Sequence, residues 1–431
     1  MEQIVITGQK RLSGAVHING AKNAAVAIIP AAIAANGVSI IENLPHIEDV
    51  IILANAIKSI GVVCEFKDEH TLMIDSRGVT DFKITYDLTR NMRASYYLLG
   101  SLLGRFKRAV VPLPGGCNFG SRPIDQHIKG FEAMGANIVL KHGLIHAYAE
   151  KLTGSHIYLD MASVGATINI MLAAVYAEGV TTIENAAREP HVVDTANFLN
   201  ILGAKIKGAG TDMIRITGVA ELYGAEYQII PDQIEAGTYM IASAITCGDI
   251  KVCNIIPKHM DSLSAKLIEM NCELEEGDDY IRVMCTDSLQ AVNVITMAYP
   301  GFPTDLQPQM TALMSTVKGT SIITETVFDN RFQYVTELRR LGSNVTVEGR
   351  VAVIEGGAAL SGAEVNAVDL RAGAALVVAG LAARGDTTIS NIKHIDRGYE
   401  DIENKLRSLG ANIRRVDTVA GVGHKSPRAV F

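Results

Sequence analysis

The chain has no tryptophan, and aromatic residues make up only 5% of its 431 positions. A core of large rings is thereby excluded; with 39 glycines and abundant alanine, the composition favours close-packed helices and tight turns. Basic excess is lacking as well. Lys and Arg number 39 against 46 Asp and Glu, and the net charge of −7 argues against a nucleic-acid or anionic-membrane binder, while leaving room for a local basic pocket. Long apolar runs are missing: the longest, residues 24–35, contains Pro30 and is about half of what spans a bilayer, so no membrane insertion is expected. The opening MEQIVITGQKRLSG reads as a strand and turn rather than a leader, and the expected location is cytoplasmic. The six cysteines sit far apart with no CxxC pair, which removes zinc-ligand spacing and makes a disulfide framework unexpected in a chain this large. Five of them are expected to be small buried hydrophobes; Cys117 is the exception.

With 48% hydrophobic and 20% charged residues, the composition is that of a globular protein, and the length suggests two domains. A repeat organises it. One phrase, an apolar helix, a glycine turn and a β-branched strand, occurs six times, as in AAIAANGVSIIENLP and MLAAVYAEGVTTIENAA. Its turn glycines, Gly37, Gly104, Gly179, Gly248, Gly319 and Gly385, recur at roughly 70-residue intervals. A second phrase ends a helix on glycine before an alternating strand, at Gly61, Gly135, Gly203, Gly342 and Gly410. The copy EMNCELEE carries Asn271 there, the non-glycine residue that best tolerates a left-handed helix cap. Units this small must pack on one another, and two groups of three predict a division near Ile230 and Pro231.

Four places break the repeat with chemistry. In NGAKNAAVAIIP, Lys22 and Asn23 open an apolar helix, whose unpaired N–H groups suit an anion. The alternative is a solvated Lys with Asn23 as a cap. PLPGGCNFGSRPIDQH is a Gly/Pro-rich loop that sets the thiol of Cys117 near the guanidinium of Arg122, a setting for a lowered thiol pKa. AYPGFPTDLQPQMT places Asp305 before a helix starting near Gln307; either Thr304 or Asp305 is the N-cap of that helix, or the Asp305 carboxylate acts as a general base toward a hydroxyl. Arg93, Arg331, Arg371 and Arg397 stand isolated at segment ends, with the fork that suits carboxylates and phosphates.

These residues resemble the enolpyruvyl transferase family, and within it the UDP-N-acetylglucosamine 1-carboxyvinyltransferases. The shared segments include GAKNAA, DLTRNMRAS, LPGGC, SVGAT, EGVTTIENAAREPHVVDTANFL, FPTD, ETVFDNRF, DLRA and HIDRGYE, spread over nearly the whole chain. The shikimate-pathway enolpyruvyl transferase lacks the loop cysteine, so Cys117 with ENAARE favours the UDP-sugar enzyme. A catalytically silent paralogue would have lost Lys22, Cys117, Asp305 or Arg397, and all four are present.

The resemblance implies an α/β fold of two inside-out α/β barrels, built from six units with three per domain. One domain takes residues 22–229 and the other residues 1–21 with 230–431. It implies transfer of the enolpyruvyl group of phosphoenolpyruvate to the 3-hydroxyl of UDP-N-acetylglucosamine, a first committed step of peptidoglycan synthesis and a target of fosfomycin. No metal or organic cofactor is implied. Lys22, Arg122 and Arg397 are the implied phosphoenolpyruvate ligands, with Arg93, Arg331 and Arg371 completing the cationic surroundings. Asn23, Asp305 and the backbone at Val327 hold the sugar. Arg122, Pro123, Ile124, Asp125, Gln126, Ser163, Val164 and Gly165 contact the UDP portion. Cys117 is the implied acid and Asp305 the implied base. Tyr97 stands where many relatives carry Trp near the nucleotide, and Gln126 where an apolar residue is common. The tail after Asp417 is given no role.

Overall fold

The computed structural model describes residues 2–86, 92–113, 124–357 and 359–417. Six helix pairs alternate with six small sheets along the chain. In each pair the first helix is the apolar one of the first phrase: Lys22–Ala34, Tyr97–Phe106, Val164–Ala174, Gln233–Ile245, Gln307–Thr316 and Leu370–Ala382. These are buried almost all round, which an α-helix tolerates only where neighbours surround it. The first three pack on one another, and so do the last three. Small residues make the close crossing possible. A Cβ at Gly100 would fall 2.3 Å from the Asn169 backbone oxygen, and one at Gly104 would fall 2.8 Å from that of Leu172.

Five of the six sheets share one topology. Val38–Glu42 pairs in parallel with Glu226–Gln228 and antiparallel with Leu72–Asp75, which pairs antiparallel with Val63–Phe66. The same order is built around Val180–Glu184, Asp249–Cys253, Gly319–Thr324 and Asp386–Ser390. The sheet around Arg108–Pro112 has three strands, and a single parallel bridge from Lys83 to Val110 stands where the fourth would be.

The expected inside-out barrel is corrected by this pairing. The architecture is α/β, but all six sheets are open, and among the described residues no ladder links one sheet to the next. A closed barrel needs every strand paired on both sides and about eight strands to enclose a filled interior. Here each short sheet ends on strands paired along one edge only, such as Glu364–Asn366 and Asn412–Asp417.

The turn chemistry explains the repeat. Gly61, Gly135, Gly203, Gly342 and Gly410 all have φ between 93° and 109°, and Asn271 sits at 75° in the same role. The first phrase is less uniform. Gly179, Gly319 and Gly385 are left-handed, but Gly104 lies inside its helix, and the left-handed residue there is Lys107.

Two hydrophobic cores result, one from Ala21 to Ile229 and one that joins Ile4 to Ile18 with Ile234 to Ile413. The chain passes between them twice, side by side: Ala21 N–H donates to Ile230 O at 2.7 Å and Asp232 N–H to Asn19 O at 2.9 Å. Gly20 is required at this crossing, because a Cβ there would fall 1.6 Å from the carbonyl oxygen of Asn43. Among the described residues no helix is long and apolar enough to cross a membrane.

Cys272 and Cys285 depart from the expectation of inert buried thiols. They flank the ends of the hairpin in which Glu273 pairs with Met284, their Cα atoms are 4.8 Å apart, and they form a disulfide. Cys64 is buried as expected, whereas Cys247 and Cys253 are half-exposed.

Candidate functional site

The two chain crossings bring polar residues of both cores together. Helix Lys22–Ala34 has no side-chain cap; its first N–H, on Lys22, donates instead to Asp232 Oδ2 at 2.9 Å. Asp232 also N-caps helix Gln233–Ile245 through Ile234 and Glu235, so one carboxylate serves two helix starts. The first N–H of this helix is thus already taken by a carboxylate, and the Lys22 side chain reaches onward. Its Nζ lies 3.0 Å from Asp49 Oδ2. Asp49, on the first turn of helix Glu48–Lys58, also accepts from Arg397 Nε at 2.8 Å and from Nη2 at 3.4 Å. Burial alone would raise the Asp49 pKa, but the Lys22 and Arg397 charges outweigh it and hold the carboxyl below the usual range.

A second cluster lies around Asp305, in the short 3-10 turn Thr304–Leu306. Asp305 Oδ1 meets Arg331 Nη2 at 3.1 Å, and Oδ2 meets Arg371 Nη2 at 2.9 Å. Asp305 caps nothing: the following helix Gln307–Thr316 has no side-chain cap, which excludes the capping alternative. Burial opposes its ionisation, yet Arg371 and Arg331, joined by Lys22, push its pKa far below the carboxylate range. Asp305 is therefore ionised but weakly basic. Arg371 is fixed by the start of helix Leu370–Ala382, which Asp369 caps, and its guanidinium lies 5.8 Å from the Tyr399 ring. Glu325, fully buried, accepts from Thr304 Oγ1 and from the N–H groups of Val327 and Phe328, which shapes the backbone at Val327.

A third strip contains the segments expected to meet a nucleotide. Ile124 precedes helix Asp125–Ala133, and Gln126 Oε1 accepts from Asp160 N–H at 2.9 Å. Gln126 Nε2 returns to Asp160 Oδ2 at 2.9 Å and to Asp125 Oδ2 at 3.0 Å. Ser163 caps helix Val164–Ala174 by accepting from Ala166 N–H at 3.3 Å. Gly165 leaves room for its neighbours, since a Cβ there would fall 2.6 Å from Tyr96 Oη and 3.1 Å from His127 Cε1. Tyr96 thus packs half-buried against this strip, whereas Tyr97, the ring singled out from sequence, is buried, with its ring centroid 4.7 Å from that of Tyr96.

The structure brings Lys22, Arg397, Asp305, Arg331 and Arg371 into one region, with Lys22 felt electrostatically at Asp305. Asn23 follows Lys22 in the first helical turn, and Arg93 opens the 3-10 turn Arg93–Tyr96. Cys117, Arg122 and Pro123 lie outside the described residues, as does the tail after Asp417.

Comparison with known proteins fits this geometry. The chain matches the EPSP synthase (3-phosphoshikimate 1-carboxyvinyltransferase) family over residues 6–406. It is 57% identical to UDP-N-acetylglucosamine 1-carboxyvinyltransferase 3 of Caldanaerobacter subterraneus subsp. tengcongensis over 416 residues, 96% of this chain and 100% of that one. The chain belongs to the UDP-N-acetylglucosamine 1-carboxyvinyltransferase family. The member from Clostridium botulinum is 55% identical over 417 residues, covering 96% of this chain and 100% of its own. Among solved structures, the enolpyruvyl transferase NikO from Streptomyces tendae superposes with a TM-score of 0.88 at 27% identity, covering 96% of this chain and 98% of that one. EPSP synthase from Acinetobacter baumannii, at 21% identity and a TM-score of 0.75, shares the fold over 97% of this chain and 100% of its own.

Against the residues expected of a carboxyvinyltransferase, the structure adds Asp49, Asp232, His191 and Glu325. His191 lies among Lys22, Asp305 and Asp232; burial pushes its pKa down to about 4, with Lys22 adding to the fall and the two carboxylates opposing it. It is neutral at pH 7. Its signal is present in the sequence, inside the long shared stretch that contains REPHVVD. Asp49 has none, because an acid in the first turn of a helix is unremarkable.

Proposed function

We propose that the chain transfers the enolpyruvyl group of phosphoenolpyruvate to the 3-hydroxyl of UDP-N-acetylglucosamine, with release of phosphate, as a cytoplasmic enzyme of peptidoglycan precursor synthesis. The near full-length identity to carboxyvinyltransferases that act on this sugar nucleotide carries the reading. The location follows from the two substrates, both products of intermediary metabolism.

Phosphoenolpyruvate brings about three negative charges, which fixed cations in a closed site stabilise far better than water does. Lys22 and Arg397 take its phosphate, and Arg122 joins them from the loop that carries Cys117. Arg93, Arg331 and Arg371 complete the field. Ile124 to Gln126 and Ser163 to Gly165 line the nucleotide strip; Asn23 and the Val327 backbone hold the sugar. A proton delivered to C3 of phosphoenolpyruvate, with Cys117 as donor, leaves C2 with oxocarbenium character. The sugar hydroxyl attacks C2 as its proton passes to Asp305. The adduct then loses a C3 proton and inorganic phosphate, which restores the double bond.

The ion pairs impose an order on this sequence. While both arginines grip it, Asp305 is an acceptor that orients the hydroxyl; it becomes a useful base as the guanidiniums turn to the substrate anions. The two cores act as domains, residues 22–229 and residues 1–21 with 230–431, that close over the substrates. Phosphate release decides the reading: it is expected only with both substrates present. Turnover with shikimate 3-phosphate in place of the UDP-sugar refutes it.

A further inference from the structure

Asp49 has no part in the steps above, yet its carboxylate is only 2% exposed. A buried carboxylate is costly unless paired. Both of its partners are cations assigned to the phosphate, and they come from different cores: Lys22 Nζ at 3.0 Å and Arg397 Nε at 2.8 Å. We propose that Asp49 is the positioning residue of the phosphoenolpyruvate phosphate site, an inference that rests on the function proposed above. Asp49 takes the guanidinium of Arg397 by its Nε and Nη2 edge, which fixes the plane of the fork. The same carboxylate holds the ammonium of Lys22, and its negative charge offsets the repulsion between the two cations.

The surroundings are built to keep this triad together. The Lys22 stem crosses Gly398, the residue after Arg397, where a Cβ would fall 3.0 Å from Lys22 Cδ. Glu400, on the same segment, accepts from His46 N–H at 2.9 Å and from Asn19 Nδ2 at 2.5 Å. Of these two donors only His46 belongs to the other core, so Glu400 ties the segment bearing Arg397 to that core once, and Asp49 is the further tie, the one that touches the phosphate cations. Arg397 is placed for the ligand only while this segment is docked, so phosphate recognition is coupled to the seating of one core on the other.

The test is phosphate-release kinetics of the full chain, varying each substrate in turn, for wild type, Asp49→Asn and Asp49→Glu, with a thermal melt of each. Asp49→Asn is expected to raise the KM for phosphoenolpyruvate about tenfold or more, with the KM for the UDP-sugar changed less than about twofold. Asp49→Glu keeps the charge but moves it by one methylene, and is expected to raise the phosphoenolpyruvate KM about threefold. Where Asp49→Asn does not fold, Asp49→Glu decides alone. An active wild type whose variants keep the wild-type phosphoenolpyruvate KM, or lose affinity for both substrates alike, overturns the inference while the proposed function stands. A wild type that releases no phosphate removes the function itself.

Discussion

Replacing Asp305 by asparagine keeps the shape of the side chain and removes its charge. That charge is held by guanidiniums at 3.1 and 2.9 Å. Deleting one member of a buried ion pair costs about 3–5 kcal/mol. The arginine side chains are 2% and 6% exposed but Asp305 is 27% exposed, so the lower end, about 3 kcal/mol, is the expected loss of stability at pH 7. Loss of a general base lowers turnover by about 10²–10⁴. The kcat for phosphate release is therefore expected to fall at least about 100-fold. The Kd for the UDP-sugar, short of one hydrogen bond worth about 1 kcal/mol, rises about fivefold.

The pH dependence has a definite sign. The folded pKa of Asp305 is depressed, so its contribution to stability is fully present above the unfolded value near ~4 and is lost as pH falls below that. Between pH 5 and pH 9 Asp305 does not titrate, and the stability difference between wild type and Asp305→Asn stays constant. Calorimetry at both ends of that range, with phosphate-release profiles, measures all of this. A kcat within about tenfold of wild type refutes the assignment. So does an acid limb near pH 6 that disappears in the variant.

The remaining expectations use other parts of the molecule. Gly100→Ala pushes a methyl against the Asn169 backbone oxygen at 2.3 Å and is expected to cost about 1–3 kcal/mol; an unchanged melting temperature contradicts the packing argument. Asp194, buried beneath Tyr227 and Ile230, has its pKa raised to about 6 by burial, against which the Tyr227 hydroxyl works. Its contribution to stability is therefore present below about 4 and is lost as pH rises through about 6, so Asp194→Asn should gain on wild type at pH 8 relative to pH 4; equal differences at the two pH values exclude this. An anionic epoxide should label Cys117 alone, since burial raises the Cys64 thiol to about 11 and Cys272 and Cys285 are disulfide-bonded. Peptide mapping that finds Cys64, Cys247 or Cys253 labelled and Cys117 untouched removes its role. Adding the UDP-sugar should shrink the radius of gyration in small-angle scattering, and an unchanged radius counts against closure of the two cores.

How far each feature is legible in the sequence depends on the physics that produces it. The second repeat phrase is legible because a left-handed cap admits few residues: five glycines and Asn271 share it, and all six have positive φ. The first phrase is only half legible. Its Gly104 is there for contact with helix Val164–Ala174, not for a turn, and both uses leave the same letter in the sequence. Barrel closure is not legible at all, because periodicity records which residues form a unit's strands and not whether neighbouring sheets share a ladder. The disulfide escapes for a related reason. Cys272 and Cys285 are 13 residues apart, and only the hairpin register brings them opposite one another.

In the site, Asp305 can be found because the prolines and glycine of AYPGFPTD isolate it from any repeat. Asp49 does the opposite. It sits in a helical first turn, where a carboxylate already has a helix dipole to satisfy, so nothing in the local sequence asks for a second partner. Its partners are Lys22, 27 residues earlier, and Arg397, 348 residues later, and no local pattern connects the three. A catalytic carboxylate in a loop announces itself through the local chemistry that holds it there. One that organises cations from two cores becomes visible only when both crossings of the chain have been placed.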